Sequence, residues 1–251
     1  MIILTDIHGC FDTMIALLDK IPQEEKDKGI VIAGDLIDRG PKSREVVQYC
    51  IDNNIQVVKG NHEEMMVDES IQIENALKTG RLSMLRNSLW TTNGGYEALE
   101  SYIDYNEETG EETFDLASFK KHAEWMDLLP YYLEFPDVKN EDGRYLVVSH
   151  SNIGNVWKNR DSDDANLMKQ FLSQVTWGRP YKIKDVPEIY NVIGHTPQEG
   201  QARIRKIYAN IDTGAVFKSF SGHGFMTALQ FPEMTLYTQE NIEKSTSYFV
   251  E

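Results

Sequence analysis

The sequence predicts an α/β fold whose chain begins with a β-α-β-α-β unit. Three apolar runs, at residues 2–4, 30–32 and 55–58, have the length and composition of buried strands. Apolar residues recur at helical spacing between them, over residues 11–21 and 46–51. Because strands that alternate with helices form largely parallel sheets with right-handed crossovers, we expect these three strands to start one sheet.

Local patterns predict the next elements in chain order. Pro41 or Ser43 begins the helix that precedes the third strand. Residues 64–130 are predicted to be mostly helical, and Leu116–Leu129 is an amphipathic helix that Pro130 ends. We expect this helical insertion to form a rim or lid over a functional site.

The second half of the chain is predicted to be richer in strands. Asp142-Gly143 indicates a tight turn between strands at residues 131–138 and 144–149, and a helix follows near residues 163–176. Three further β-rich segments lie at residues 206–211, 224–231 and 235–238. We expect a sandwich in which the C-terminal strands finish the second sheet and helices lie outside. No linker rich in Gly, Ser or Pro divides the chain, so residues 1–251 are predicted to form a single domain.

Composition and charge limit the classes of function. The chain of 251 residues carries a formal net charge of −15, with 40 acidic and 25 basic residues. Such a chain is expected to repel nucleic-acid backbones, and no basic stripe offsets the repulsion. The acidic run at residues 106–112 is interpreted as a solvated loop tip. No apolar run approaches the roughly 20 residues of a membrane span, so neither nucleic acid nor a membrane is an expected partner.

The cysteine content and the start of the chain predict a cytoplasmic protein. Cys10 and Cys50 are the two cysteines, which suits a reducing compartment and provides no disulfide framework. Met1 leads directly into the first apolar run, so no signal peptide is expected.

Polar motifs follow five of the strand-like runs at the points where the strands end. The motifs are Asp6-Ile7-His8-Gly9, Gly34-Asp35-Leu36-Ile37-Asp38-Arg39-Gly40, Gly60-Asn61-His62-Glu63, Ser149-His150-Ser151 and Gly194-His195-Thr196-Pro197. Taken singly, such an Asp usually caps a helix and such a His usually forms a hydrogen bond in a turn. Because sites in α/β sheets form beyond the carboxyl ends of strands, the joint pattern predicts one shared two-metal site.

These motifs together resemble the metallophosphatase superfamily, and specifically its phosphoprotein phosphatase branch. Residues 211–217 and Trp177-Gly178-Arg179 also resemble that branch. Within it the chain is most similar to short bacterial and bacteriophage serine/threonine protein phosphatases of the bacteriophage lambda type, and bacterial diadenosine tetraphosphatases are similar too. The resemblance covers residues 1–63 closely and 145–217 in patches. It implies a calcineurin-like β-sandwich with flanking helices, in the cytoplasm of a bacterium or a phage-infected host.

The resemblance implies two divalent metal ions that share one carboxylate. The first ion would be held by Asp6, His8 and Asp35, and the second by Asp35, Asn61, His150 and His195. Asp35 is the natural bridge because it lies on the central turn. Mn²⁺ is the expected ion, with Fe or Zn²⁺ as alternatives, because all three suit nitrogen and oxygen ligands.

Neighbouring residues are predicted to act on the substrate. Asp38 beside His62 favours the protonated imidazole, so His62 is expected to donate a proton to the leaving group. The alternative for Asp38 is a salt bridge with Arg39. By resemblance, Arg39 and Arg179 bind the substrate phosphate. Lys59 stands where phage enzymes carry a further arginine, and it is expected either to bind phosphate less rigidly or to face solvent.

The predicted function is a two-metal-dependent phosphoesterase, a phosphoserine/phosphothreonine protein phosphatase in which a metal-bridging hydroxide attacks phosphorus directly. Its substrates would be phosphorylated proteins and small phosphoesters. Two enzymatic alternatives stay open, a symmetrical dinucleoside polyphosphate hydrolase and a cyclic-nucleotide phosphodiesterase, because fold and core alone do not determine the substrate. A degenerate phosphate-binding module without turnover is the non-enzymatic alternative, against which the retained Asp38, His62, Arg39 and Arg179 argue.

Residues outside the main motifs receive more ordinary interpretations. His122 and His223 are expected to be surface or turn residues. Asp212 is expected to support a ligand histidine, or else to cap its turn. Asn93-Gly94-Gly95 is interpreted as a turn at the rim. Asn152 replaces an aspartate of the phage enzymes, so their substrate preference does not transfer directly.

Overall fold

A computed structural model describes residues 1–79, 88–179 and 181–244. The strands in these ranges are β1 (Ile2–Leu4), β2 (Ile30–Ile32), β3 (Gln56–Val57), β4 (Ile103–Tyr105), β5 (Glu112–Phe114), β6 (Tyr132–Lys139), β7 (Tyr145–Ser149), β8 (Ile189–Ile193), β9 (Arg203–Ile204), β10 (Tyr208–Asn210), β11 (Phe225–Gln230) and β12 (Thr235–Glu240). The α-helices are α1 (Phe11–Asp19), α2 (Gln23–Lys26), α3 (Ser43–Asp52), α4 (Asn61–Thr79), α5 (Tyr96–Glu100), α6 (Leu116–Asp127) and α7 (Ala165–Trp177). Within the described residues, the strands form two five-stranded sheets and one two-stranded hairpin. The predicted α/β sandwich is confirmed.

The first sheet contains the predicted β-α-β-α-β unit. Its strand order is β12-β11-β1-β2-β3, and β1, β2 and β3 are parallel. The expectation that the C-terminal strands finish the second sheet is wrong for two of them. β11 pairs antiparallel with β1, and β12 then pairs with β11. Because β1 is buried on both faces, its second edge needs a partner for its backbone hydrogen bonds, and β11 provides that partner.

The second sheet has the order β6-β7-β8-β10-β9. β7, β8 and β10 are parallel, whereas β6 and β9 run antiparallel at the two edges. Apolar side chains of both sheets form one buried cluster between them, which includes Ile3, Val31, Val148 and Val192. The two sheets therefore hold the carboxyl ends of their parallel strands in a fixed relation.

The predicted helical insertion is only partly helical. α4 already begins at Asn61, and α6 matches the predicted amphipathic helix. The correction lies in β4 and β5, which pair as a short hairpin whose tip is the exposed acidic run at residues 106–112. Tyr102 and Phe114 pack against Phe119 of α6, so aromatic burial holds the hairpin on the helix. Residues 80–87 of the insertion lie outside the described residues.

His122 is buried, contrary to the expectation of a surface residue. Its Nδ1 atom lies 2.8 Å from the Tyr102 hydroxyl, and its Nε2 atom lies 3.1 Å from Gln48 Oε1. Burial lowers the pKa of His122 to about 4, so the neutral imidazole joins α6 to α3 at neutral pH.

The described helices do not include a membrane span. Even α4, with 19 residues, lacks the combination of length and apolar character that such a span requires.

The pairing of β11 with β12 provides a matched test of the sandwich. Leu229 is fully buried between the sheets, whereas Leu236, directly opposite it in register, is 37% exposed. We expect Leu229→Ala to lower the free energy of unfolding by about 2–5 kcal/mol, because it removes buried methyl groups and leaves a cavity. Leu236→Ala should cost clearly less. Urea unfolding of both variants checks this, and equal losses would contradict the placement of β11.

Candidate two-metal active site

The structure brings the predicted metal ligands together at one edge of both sheets. Each ligand lies on a turn that follows a parallel strand, and every one of them is buried. The turns after β1, β2 and β3 contribute Asp6, His8, Asp35 and Asn61, and those after β7 and β8 contribute His150 and His195. The six side chains lie close together, as ligands of a shared site must. The assignment of each residue as a ligand stays a prediction.

The Asp35 carboxylate lies at the centre of the group. Its Oδ2 atom is 3.3 Å from His150 Nε2, 3.6 Å from His8 Nε2 and 3.9 Å from His62 Nε2. Two sets of residues have ligand atoms that all lie within 4.8 Å of one another, and Asp35 belongs to both. One set adds His8 and His62, and the other adds His150 and His195. A carboxylate common to two donor sets is what a pair of cations with a shared ligand requires.

The remaining predicted ligands complete the donor set. Asn61 Oδ1 and His195 Nδ1 each lie 3.0 Å from His150 Nε2. Asp6 accepts hydrogen bonds from the backbone N–H of His195 at 3.2 and 3.0 Å, and its Oδ1 lies 4.0 Å from His8 Nε2. Carboxylate, amide and imidazole donors in this number fit two divalent cations such as Mn²⁺, Fe or Zn²⁺.

Backbone carbonyls orient two of the imidazoles. His8 Nδ1 lies 2.8 Å from the Ile37 carbonyl, and His150 Nδ1 lies 2.8 Å from the Ala33 carbonyl. Because a carbonyl only accepts, each Nδ1 carries the proton and donates it. Each Nε2 atom then carries a lone pair on the side of Asp35, as a metal ligand needs.

The site brings together buried carboxylates whose negative charge is costly without a cation. Desolvation raises the pKa values of Asp6 and Asp212, and it raises the pKa of Glu63 to about 7. Desolvation also acts to raise the pKa of Asp35, but the charge of His150 and the other imidazoles outweighs it and holds that pKa well below its usual value. Bound cations neutralise buried carboxylates of this kind.

Six site residues have a left-handed backbone. Asp6, His8, Asp35, Asp38, Arg39 and His195 have φ values between 46° and 76°. Residues other than glycine adopt this region at a cost of about 1–3 kcal/mol each, and such strain concentrates at functional sites. The turns therefore need strong restraints from the surrounding structure.

Glu63 provides one of these restraints, and the sequence analysis did not assign it a role. Its buried carboxylate accepts hydrogen bonds from the backbone N–H groups of Asp35 at 2.9 Å, Leu36 at 2.7 Å and Gly60 at 2.8 Å. It thereby ties the turn after β2 to the turn after β3. Its position directly after Asn61-His62 was the available signal, but two of its three partners are 28 and 27 residues away along the chain.

The predicted Asp38–His62 pair is present and has a third member. His62 Nδ1 lies 2.5 Å from Asp38 Oδ2, and the Trp90 indole N–H donates to both oxygens of Asp38, at 2.8 and 2.9 Å. Burial acts to lower the pKa of His62, but the charges of Asp35 and Asp38 outweigh it and raise that pKa. Asp38 is thus engaged by His62 and Trp90 rather than by a salt bridge with Arg39.

Both predicted phosphate-binding arginines line the same cavity as five of the six predicted ligands, a space of about 110 Å³. Arg39 Nη1 lies 2.6 Å from His8 Nε2, and Arg39 Nη2 lies 2.9 Å from His62 Nε2. The backbone N–H of Arg39 donates to the Gly94 carbonyl at 2.9 Å. Gly94 has φ of +107°, and a Cβ there would lie 2.5 Å from the Arg39 side chain, so only glycine fits this turn. Arg179 Nε donates to His195 Nε2 at 3.2 Å.

Lys59 does not join this group, which corrects its expected role. Its buried Nζ donates to the Asp127 carbonyl at 2.8 Å and lies 5.3 Å from the centre of the Tyr131 ring. The carbonyls at the end of α6 attract the ammonium group, so Lys59 neither lines the cavity nor faces solvent.

Asp212 lines the cavity, but its observed contact is within its own turn. Its Oδ1 accepts from the backbone N–H of Gly214 at 2.8 Å, and its buried Oδ2 has no hydrogen-bond partner among the described residues. Among the described residues, the Asp212 carboxylate therefore caps its own turn, which is the second of the two expected roles, and it forms no hydrogen bond with a ligand histidine. His223 is a half-buried turn residue, as expected, with Nδ1 3.2 Å from the Ser221 carbonyl.

We expect Asp35→Asn to remove both metal ions, because the neutral amide cannot bridge two cations and leaves the remaining ligands without their shared charge. Elemental analysis of purified protein after addition of Mn²⁺ measures the bound metal. Asp68→Asn, an exposed position on α4, is the matched control and should keep the wild-type metal content. Two ions retained by a folded Asp35→Asn protein would contradict the bridging assignment.

Known proteins resemble this chain over most of its length. The profile of the calcineurin-like phosphoesterases matches residues 1–223. The chain is 30% identical to the bis(5′-nucleosyl)-tetraphosphatase PrpE [asymmetrical] of Halalkalibacterium halodurans, over 92% of this chain and 90% of that protein. It is 28% identical to the Bacillus subtilis protein of the same name, over 92% and 91%. A symmetrical bis(5′-nucleosyl)-tetraphosphatase of Neisseria gonorrhoeae is 47% identical, but over only 23% of this chain and 22% of that protein.

Solved structures share the fold. A protein provisionally named a diadenosine tetraphosphatase superposes with a TM-score of 0.60 at 18% identity, covering 96% of this chain and 92% of its own. A serine/threonine protein phosphatase of Saccharomyces cerevisiae superposes with a TM-score of 0.51 at 13% identity, covering 98% and 81%. The named relatives are tetraphosphatases, so the expected special similarity to phage protein phosphatases is not what the comparisons support. The chain belongs to the calcineurin-like phosphoesterases, a family of metal-dependent phosphoesterases.

Proposed function

We propose that this protein hydrolyses dinucleoside polyphosphates, and bis(5′-nucleosyl) tetraphosphates in particular. The observation that carries the proposal is the similarity to named tetraphosphatases over about nine-tenths of both chains. The protein phosphatase function predicted from the motifs has no comparable support, since the similarity to a protein phosphatase is one of fold at 13% identity. The dinucleoside polyphosphate alternative therefore becomes the main proposal.

The proposed cleavage is asymmetrical. The relatives that match almost the whole chain carry that designation, whereas the symmetrical enzymes match 23% to 33% of it, over 60 to 85 residues. Asymmetrical hydrolysis of diadenosine tetraphosphate yields ATP and AMP, whereas symmetrical hydrolysis yields two ADP. This proposal replaces the symmetrical cleavage considered from the sequence.

The residues present divide the task between metal binding and phosphate binding. Two cations held by the ligands named above would supply Lewis-acid activation of water and neutralise phosphoryl charge. Arg39 and Arg179 present planar guanidinium groups to the same cavity, where each can donate two hydrogen bonds to phosphoryl oxygens.

His62 holds the proton for the leaving group in this proposal. Asp38 accepts from Nδ1, which fixes the ring so that Nε2 faces the cavity, and Trp90 fixes Asp38 in turn. A departing nucleotide is a weakly basic phosphate that needs little protonation, whereas a departing alkoxide needs much. His62 should therefore matter more for simple esters with poor leaving groups than for a dinucleoside polyphosphate.

A panel of substrates tests the proposed function. Mn²⁺-loaded protein is offered diadenosine tetraphosphate, a phosphoserine peptide, cyclic AMP and p-nitrophenyl phosphate, and products are separated by anion-exchange chromatography. We expect the highest kcat/KM for diadenosine tetraphosphate, with ATP and AMP as products. Two ADP molecules would contradict the asymmetrical assignment. A higher kcat/KM for the phosphopeptide would contradict the proposal and support a protein phosphatase function instead.

Trp90→Phe tests the third member of the Asp38–His62 pair. Loss of a hydrogen bond to a charged group costs about 1.5–3 kcal/mol, so we expect phenyl phosphate hydrolysis to slow by roughly 10–100-fold. Hydrolysis of p-nitrophenyl phosphate, whose leaving group needs little protonation, should slow much less. Trp125→Phe, on α6 and outside the cavity, is the control. An unchanged ratio of the two rates in folded Trp90→Phe protein would show that Trp90 only fills space.

A further inference from the structure

A second cavity adjoins the metal site. It has a volume of about 520 Å³, and we call it the side cavity. Arg179 lines both spaces, so the side cavity continues directly from the proposed phosphate-binding residue. Pockets for small molecules commonly have volumes of roughly 300–1,000 Å³, so a nucleoside fits within it.

The charge of the side cavity is opposite to that of the chain. The chain has 40 acidic and 25 basic residues, yet the described residues that line the side cavity include Arg179 and Arg203 and no carboxylate. An acidic protein that keeps carboxylates away from one cavity creates a local site for anions. The side cavity therefore complements the negatively charged end of a phosphorylated ligand.

Aromatic and apolar groups form the rest of the lining. Tyr208 on β10 is half-buried, and Tyr181 is 99% exposed. Ile183, Ile193 and Ile207 provide apolar contact nearby. Exposed aromatic rings beside an apolar wall are suited to stacking with a nucleobase.

Gln198 adds an unsatisfied acceptor to the lining. Its side-chain N–H₂ group donates to the Thr196 carbonyl at 2.5 Å, whereas its Oε1 atom is buried without a hydrogen-bond partner among the described residues. A buried acceptor without a donor costs free energy, which a ligand N–H group at this position would recover. Nucleobases with an exocyclic amino group carry such a donor.

We propose that the side cavity binds one nucleoside of the substrate, with the base against Tyr208 and Tyr181 and the phosphates directed toward Arg179. This inference rests on the proposed function for the choice of a nucleotide as ligand, and it adds the place where the base is recognised. The charge, the two rings and the continuity with the metal site are the observations behind it.

The test compares two inhibitors that differ only in the base. AMP and ribose 5-phosphate are measured as competitive inhibitors of p-nitrophenyl phosphate hydrolysis by the Mn²⁺-loaded protein. We expect AMP to have a Ki about tenfold lower than ribose 5-phosphate, because stacking contributes to AMP alone. Equal Ki values for the wild-type protein would overturn the proposal.

Variants locate that preference. Tyr181→Ala changes a fully exposed ring and should leave folding intact, and Tyr208→Leu keeps an apolar side chain on β10. Either change should bring the two Ki values toward equality. Tyr105→Ala, an exposed tyrosine of the β4–β5 hairpin outside the cavity, should keep the wild-type ratio. A wild-type ratio in both Tyr181→Ala and Tyr208→Leu would overturn the assignment of the side cavity.

The outcome is separable from the proposed function. If the protein fails to hydrolyse diadenosine tetraphosphate but shows the base-dependent inhibition, the function is wrong and the nucleoside site stands. If it hydrolyses diadenosine tetraphosphate and both tyrosine variants keep the AMP preference, the function stands and the side cavity is refuted as its base site.

Discussion

The structure depends on placing one buried carboxylate, that of Asp35, against imidazoles from both sheets. Its Oδ2 atom lies within 4.0 Å of His8 and His62 from the first sheet and of His150 from the second. A buried carboxylate and ring nitrogens grouped this closely form a donor set that bound cations would neutralise. The left-handed turns, the hydrogen bonds of Glu63 and the apolar contact between the sheets all serve to keep this arrangement.

The insertion between β3 and β6 is part of the site rather than only a cover for it. Trp90 donates to Asp38, and the Gly94 carbonyl accepts from the backbone of Arg39. Both contacts cross from the insertion to the turn after β2. The proposed proton donor and the proposed phosphate-binding arginine thus depend for their orientation on a segment outside the strand-ending motifs.

The sequence was informative where a motif marks the end of a strand, and uninformative about contacts between distant segments that carry no motif. Strand-ending motifs predicted where Asp6, Asp35 and His195 meet, because parallel strands bring their carboxyl ends to one edge. Periodicity marked β11 and β12 as strands but carries no information about which sheet an isolated strand joins. The roles of Glu63 and Trp90 were not predicted because their deciding contacts are distant: Glu63 accepts from Asp35 and Leu36, 28 and 27 residues away, and Trp90 donates to Asp38, 52 residues away. Lys59 was misjudged because the carbonyl that binds it lies 68 residues further along the chain.

Electron paramagnetic resonance of the Mn²⁺-loaded protein tests the shared carboxylate most directly. Two Mn²⁺ ions that shared Asp35 would be magnetically coupled, whereas ions in separate sites would not. When both sites are saturated with Mn²⁺, we expect a spectrum dominated by an exchange-coupled pair of Mn²⁺ ions. A spectrum of isolated, uncoupled Mn²⁺ in protein that binds two ions would contradict it.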